Sequence, residues 1–144
     1  MKMSDELIKE LPYVEGLEAN ECAKYSRLLT EKLTGVKYNP GHAWKLGKNN
    51  VILVDDKSLD KSKGDLGEFV ELMEPGKTIV IFHNKLSLFN RFGRIGTHAG
   101  VYAGKHEGKI MFAEQYIIEQ QIRSYEDMRK KGLNAKQILA PRGK

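Results

Sequence analysis

THAGVYAGKHEGKIMFAEQ, residues 97–115, decides how the rest of the chain is read. Small and apolar residues flank the run Gly104-Lys105-His106-Glu107-Gly108, the pattern of a β-hairpin with a glycine-bounded turn. With Lys105, His106 and Glu107 as a three-residue loop, Tyr102 faces Ile110, Gly100 faces Phe112 and His98 faces Glu114. Side chains alternate along a strand, so all six then share one face of the sheet. A carboxylate opposite a histidine can hydrogen-bond one imidazole nitrogen, which fixes the tautomer and raises the basicity of the other. Gly100 leaves room beside Phe112 for a neighbouring element.

The element that would use that room begins near the only cysteine. In LEANECAKYSRLL, Asn20 is suited to cap a helix running from about Glu21 to Leu33, and Gly35 is suited to end it. Cys22, Tyr25, Leu29 and Leu33 share a face at helical spacing. Cys22 then stands at about the second helical position, where unpaired N–H groups and the helix dipole favour a thiolate. The same N–H groups suit a developing oxyanion. A cysteine at a helix N-terminus and an oriented histidine on a facing strand make a thiol acyl-transfer site. Singly, each has a plainer reading: a small core cysteine, a structural strand histidine, a carboxylate at a sheet edge.

Upstream, Ser4-Asp5-Glu6 before Leu7, Ile8 and Leu11 predicts a capped short helix stopped by Pro12. Asn39-Pro40-Gly41 is a turn before a short helix over His42 to Gly47. There Trp44 has the choice of core or groove, with core the commoner. Val51 to Val54 is a brief strand or packed segment, Asp55 to Gly64 an exposed polar loop, and Asp65 to Met73 one or two helical turns. Pro75-Gly76 introduces a buried strand over Thr78 to Phe82. Residues 83–96, rich in Phe, Leu and Arg, form an excursion between strands. After the hairpin, Ile117 to Arg123 alternates as a strand, Ser124 caps a polar helix ending at Gly132, and Gln137 to Ala140 makes a final edge strand. Helices followed by consecutive strands predict an α+β domain, its N-terminal helices packed on an antiparallel sheet.

The 144 residues are expected to form one domain over 1–144, long enough to bury a core. With 40% hydrophobic and 30% charged residues, the composition is that of an ordinary soluble protein. No apolar run approaches the roughly 18 residues of a membrane span. The opening MKMSDELIKELPY lacks a secretory apolar core, so the expected product is soluble and made inside the cell without a signal peptide. One cysteine excludes an intramolecular disulfide, and no Cys/His cluster has zinc-ligand spacing, so no metal or cofactor is expected. The net charge of +5 suits polyanionic surroundings such as wall polymers. Its lysines are interspersed with Asp and Glu, and a nucleic-acid partner is not expected.

Four stretches resemble the NlpC/P60 and CHAP peptidases, papain-like enzymes that cut bacterial peptidoglycan peptides. Pro12-Tyr13-Val14-Glu15-Gly16 is similar to the PYxWGG stretch of NlpC/P60 proteins, and Asn20-Glu21-Cys22-Ala23 to their Asp-Cys-Ser-Gly element. Pro75-Gly76 with Ile79-Val80-Ile81-Phe82 resembles the PGD-(I/L)-V-x-F strand, and Thr97 to Tyr102 resembles HVGIY, the most specific of the four. Glu21 and Lys77 replace the family's two aspartates. The resemblance implies a papain-like domain, with Cys22 as nucleophile, His98 as general base and Tyr13 near the oxyanion site. The third NlpC/P60 residue, a histidine on the next strand, falls at Phe112, which cannot serve. Glu114-Gln115 instead resembles the Glu-Gln-Asn of CHAP endolysins, with Tyr116 replacing the Asn, which implies Glu114 as the orienting residue with Gln115 second to it, and Gln115 with Tyr13 as the oxyanion- or substrate-positioning groups.

The activity so implied is that of a cysteine peptidase or amidase acting on peptidoglycan or another peptide amide, in a phage lysin, virion-associated lysin or secreted effector. Related acyltransferases carry a permuted core with histidine before cysteine, whereas here Cys22 precedes His98. The alternatives are an acyltransferase, deamidase or thioesterase using the same site, or an inactive binding or virion structural module.

Overall fold

Residues 11–84 and 97–142 are described by the computed structural model; the short helix expected before Pro12 and most of the excursion over 83–96 lie outside them. The first helix among the described residues, α1, spans Cys22–Thr34 and ends at Gly35, whose left-handed φ of 76° lets its N–H return to the Glu31 carbonyl at 2.9 Å. Its N-cap is Glu21 rather than Asn20, so Cys22 is the first helical residue. Asn20 itself adopts a left-handed φ of 63° and gives its N–H to the Ile117 carbonyl at 2.9 Å. A second helix, α2, covers Ala43–Asn49. The stretch expected as an exposed loop instead holds α3, Asp56–Lys61. Asp55 caps it by accepting the Ser58 N–H, and Leu59 anchors it in the core. A 3-10 helix over Gly67–Leu72 supplies the expected short turns.

Among the described residues six strands form one open antiparallel sheet: β1 (Val51–Val54), β2 (Ile79–Asn84), β3 (Thr97–His106), β4 (Lys109–Tyr116), β5 (Glu119–Ser124) and β6 (Leu133–Ala140), in the order β1-β6-β2-β3-β4-β5. The domain is thus α+β, as its sequence predicts. The last strand is longer than expected and is not an edge, because β1 pairs along its outer side and takes the edge position. Helix α4, Tyr125–Lys130, begins at the Ser124 cap, whose hydroxyl accepts the Asp127 N–H.

Both faces of the sheet are covered, which explains why Ile79 to Phe82 is apolar without alternation. Ile79, Ile81, Ala99, Val101 and Ala113 pack under α1 and α2 with Tyr25, Leu29 and Leu46. On the other face Val80, Phe82, Tyr102 and Phe112 meet Leu59, Tyr125 and Met128. Phe82 and Phe112 are edge-to-face, with ring centroids 5.0 Å apart. Gly100 does not receive the cysteine helix as expected. A Cβ there would lie 3.4 Å from the Phe82 ring, so the space admits an aromatic side chain of β2.

The hairpin register also differs from the expected one. The turn is two residues, Glu107-Gly108, both at positive φ (53° and 80°), and His106 pairs with Lys109. Carried on unbroken, that register would put His98 and Glu114 on opposite faces. A bulge between Tyr102 and Gly104 adds one residue to β3, and beyond it Tyr102 pairs with Phe112 and Val101 with Ala113. Counted on from there, Glu114 is level with Gly100 and diagonal to His98 on the same face. Gly104 carries the bulge at φ 95°. Gly104→Val is expected to cost about 1–3 kcal/mol, read as a lower urea midpoint. Gly108→Asn, at a turn position that tolerates asparagine, should cost well under that.

Candidate active site

Residues 97–101 of β3 pair with β2, whereas its pairing with β4 begins only at Val101. The β4-facing N–H groups of the first half of β3 are therefore not used in that ladder. One of them, Ala99 N–H, is given to the Cys22 sulfur, and the Ala23 N–H is given to it as well. The N-terminus of α1 thus docks where the two strands part. Its position is held by the loop before it. Gln115 donates from Nε2 to the carbonyls of Glu18 (2.8 Å) and Ile117 (3.0 Å), and Gln120 exchanges two hydrogen bonds with the Val14 backbone (2.8 and 2.6 Å).

Cys22 and His98 are hydrogen-bonded side chain to side chain. His98 Nε2 donates to Glu114 Oε1 at 2.6 Å, since an ionised carboxylate can only accept. This leaves Nδ1 as the ring nitrogen for the thiol. The His98 side chain is 12% exposed and that of Glu114 0%. Glu114 also accepts from Arg123 through Nε and through Nη2 (3.1 Å), and from Gln121 Nε2 (3.0 Å). Its four lone-pair sites are thereby filled.

The titration behaviour follows from these contacts. Burial pushes the Cys22 thiol up, but the hydrogen bond and charge of His98, with the N–H groups of Ala99 and Ala23, prevail and hold it below its ordinary value. Burial pushes His98 down, and the bonds to Cys22 and Glu114 outweigh it, raising the imidazole to about 9. For Glu114, burial is overcome by His98 and Arg123, and the carboxyl falls to about 2. The same contacts thus favour the thiolate form of Cys22 and the imidazolium form of His98 together. Tyr25, fully buried beneath, has a hydroxyl without a hydrogen-bond partner, and burial and the Glu114 charge keep it protonated.

Cys22 opens into a cavity of about 390 Å³ walled by Glu21, Lys24, Arg27, His42, Trp44 and Thr97, among others. Trp44 is a cavity wall rather than a core residue, its ring parallel to that of His42 with centroids 6.2 Å apart. Two expected positions need correction. Tyr13 is 67% exposed and lies in a separate groove with Leu28 and Lys32, so it gives nothing to an oxyanion at Cys22. Gln115 faces away from Glu114 because neighbours on a strand alternate, and its amide secures the loop instead. Arg123 and Gln121, which the sequence reading places in a strand without a role in the site, are the additions. Among the described residues no three of His, Cys, Asp and Glu are grouped to hold a metal.

The chain matches no protein-family model, curated protein or solved structure. The likeness to NlpC/P60 and CHAP enzymes therefore rests on the four quoted stretches and on Glu114-Gln115.

The shifts set a pH window. The raised His98 contributes stability below about pH 6.5 that is lost as pH rises through about 9. The depressed Glu114 contributes stability above about pH 4.5 that is lost as pH falls through about 2. Glu114→Gln leaves Arg123 largely buried without a counter-charge and should cost about 3 kcal/mol or more in denaturant unfolding. In the same variant the rate of Cys22 alkylation should depend on pH differently from wild type, because His98 loses the carboxylate that raises it.

Proposed function

We propose that this chain is a thiol hydrolase, a cysteine peptidase or amidase that cleaves an amide through Cys22, His98 and Glu114. The observation that carries the reading is the Cys22–His98–Glu114 chain of hydrogen bonds ending at the mouth of an open cavity. Each member has a role that its surroundings suit. The Cys22 thiolate attacks the amide carbonyl carbon, forming an S–C bond and a tetrahedral oxyanion. The first helical hydrogen bond is Tyr25 N–H to Glu21 at 2.8 Å, so the Cys22 N–H lies ahead of the ladder and is available to that oxygen. The His98 imidazolium gives its proton to the leaving nitrogen as the C–N bond breaks, leaving a thioester. Neutral His98 then takes a proton from water, hydroxide adds to the thioester, and the acid departs as the thiolate is restored. Glu114 keeps the ring oriented and stabilises its cationic form.

The substrate we assign is a peptidoglycan stem peptide or cross-bridge. It is supported by the likeness of Cys22 and His98, with their flanking residues, to wall-cutting enzymes, and by a net charge of +5 suited to an anionic wall. The order Cys22 before His98 favours hydrolysis over the acyl transfer of the permuted relatives. No helix among the described residues is long and apolar enough to cross a membrane.

Cys22→Ala removes only the sulfur from a partly exposed position. It should abolish release of peptide fragments from purified peptidoglycan, followed by mass analysis, while leaving the thermal midpoint within a few degrees. Undiminished release by that variant would sink the proposal.

A further inference from the structure

A second cavity, of about 280 Å³, lies beside α3 and α4, the helices that cover the face of the sheet away from Cys22. Tyr125 builds its frame. The tyrosine hydroxyl donates to the Gly64 carbonyl at 2.5 Å and accepts the Ala135 N–H at 2.9 Å, which ties the Lys63-Gly64 turn to β6. The Arg129 guanidinium lies over the Tyr125 ring, 5.6 Å from its centroid, and donates from Nη2 to the Lys63 carbonyl at 2.8 Å. One side of the guanidinium is thus fixed, while its other N–H groups remain for a further acceptor. Gly64, at a φ of 77°, keeps the space beside it clear: a Cβ would lie 3.2 Å from Asn134 Oδ1 and 3.6 Å from Arg129 Nη2.

Among the described residues this cavity is lined by three cationic side chains, Lys63, Arg129 and Lys136, and by one carboxylate, Asp60. Asp60 meets Lys136 at 3.6 Å, so the other two cations have no carboxylate on that wall. Three positive charges against one negative leave a surplus of two, which matches the charge of about −1.5 to −2 on a phosphate monoester at neutral pH. The donors arrive from a turn, a helix and two strands, with His83 and Asn134 adding N–H groups. A carboxylate accepts in one plane, whereas a phosphate presents three oxygens in different directions. We propose that this cavity is a binding site for a phosphate group, held by the Arg129 fork with Lys63 and Lys136 as point charges. Nothing in it depends on Cys22, whose cavity lies at the N-terminus of α1. The same chemistry serves the free ion and a monoester on a larger molecule.

Isothermal titration of the whole chain with inorganic phosphate and with glycerol phosphate, against sodium chloride of equal ionic strength, tests it. Saturable binding at one site is expected at millimolar concentration, and the tighter of the two ligands identifies the source. Arg129→Gln should weaken it about tenfold, the loss of one hydrogen bond to a charged group. Lys63→Asn removes a charge and tolerates the left-handed φ of 59° at that position. It should weaken binding by a smaller factor, and it serves if Arg129→Gln does not fold. Lys37→Gln, at a surface lysine 3.9 Å from Glu31, removes the same net charge and should leave binding unchanged. No saturable binding by wild type, undiminished binding by the folded cavity variants, or an equal loss in Lys37→Gln overturns the site.

Discussion

A carboxylate without solvent contact, Glu114, is the constraint around which the site is built. Burying a lone carboxylate costs several kcal/mol even after relaxation, and the fold offsets this only by filling every acceptor position on it. Arg123 and Gln121 come from β5, and His98 comes from β3 on the other side. Glu114 therefore couples three adjacent strands through one side chain. Removing either flanking strand would strand a buried charge. The bulge in β3 belongs to the same requirement, because without it His98 would point to the opposite face.

The second requirement is that a helix end reach a sheet. Nothing in α1 itself does this, since its packing with Ile79, Ile81 and Val101 fixes its face but not its start. The start is tied by Asn20 and Gln115, both bonded to the Ile117 carbonyl. Ile117 has a φ of 59°, unfavourable for a β-branched residue, and it sits in the turn between β4 and β5. Two hydrogen bonds on its carbonyl hold that conformation. The turn that aligns Arg123 with Phe112 and Gln121 with Glu114 is thus also the anchor of the cysteine helix.

These features separate what was legible in the sequence from what was not. The helix of Cys22, the hairpin, and the sharing of a face by His98 and Glu114 follow from spacing and glycine placement. The exact register did not, because the two-residue turn and the bulge offset each other in parity, and neither departs from the composition of an ordinary strand. Arg123 lay within an expected strand, but its partner could not be counted without the Ile117-Ile118 turn, and two isoleucines carry no turn signal. Tyr13 and Gln115 were placed by likeness to other proteins, and their surroundings here give them different neighbours. Trp44 was read as core on frequency alone, since periodicity over so short a helix cannot say which way its rings face.

Cys22, His98, Glu114 and Arg123 follow one another along the site, and in the ion pair of the proposed reaction their charges alternate: thiolate, imidazolium, carboxylate, guanidinium. Arg123 matters because it takes much of the field of Glu114 for itself, so that the imidazolium depends more heavily on Cys22 than it would beside a free carboxylate. That dependence gives the proposed reaction its timing. While the sulfur is a thiolate, its charge and hydrogen bond help hold the proton on His98. Once the sulfur is bonded to carbon that support disappears, and the proton affinity of His98 falls at the moment a leaving nitrogen needs a proton. Deacylation runs the other way: the neutral imidazole accepts a proton from water, and the returning thiolate restores the ion pair. A buried histidine held by one permanent and one transient negative partner is in this way an acid in the first half of the cycle and a base in the second.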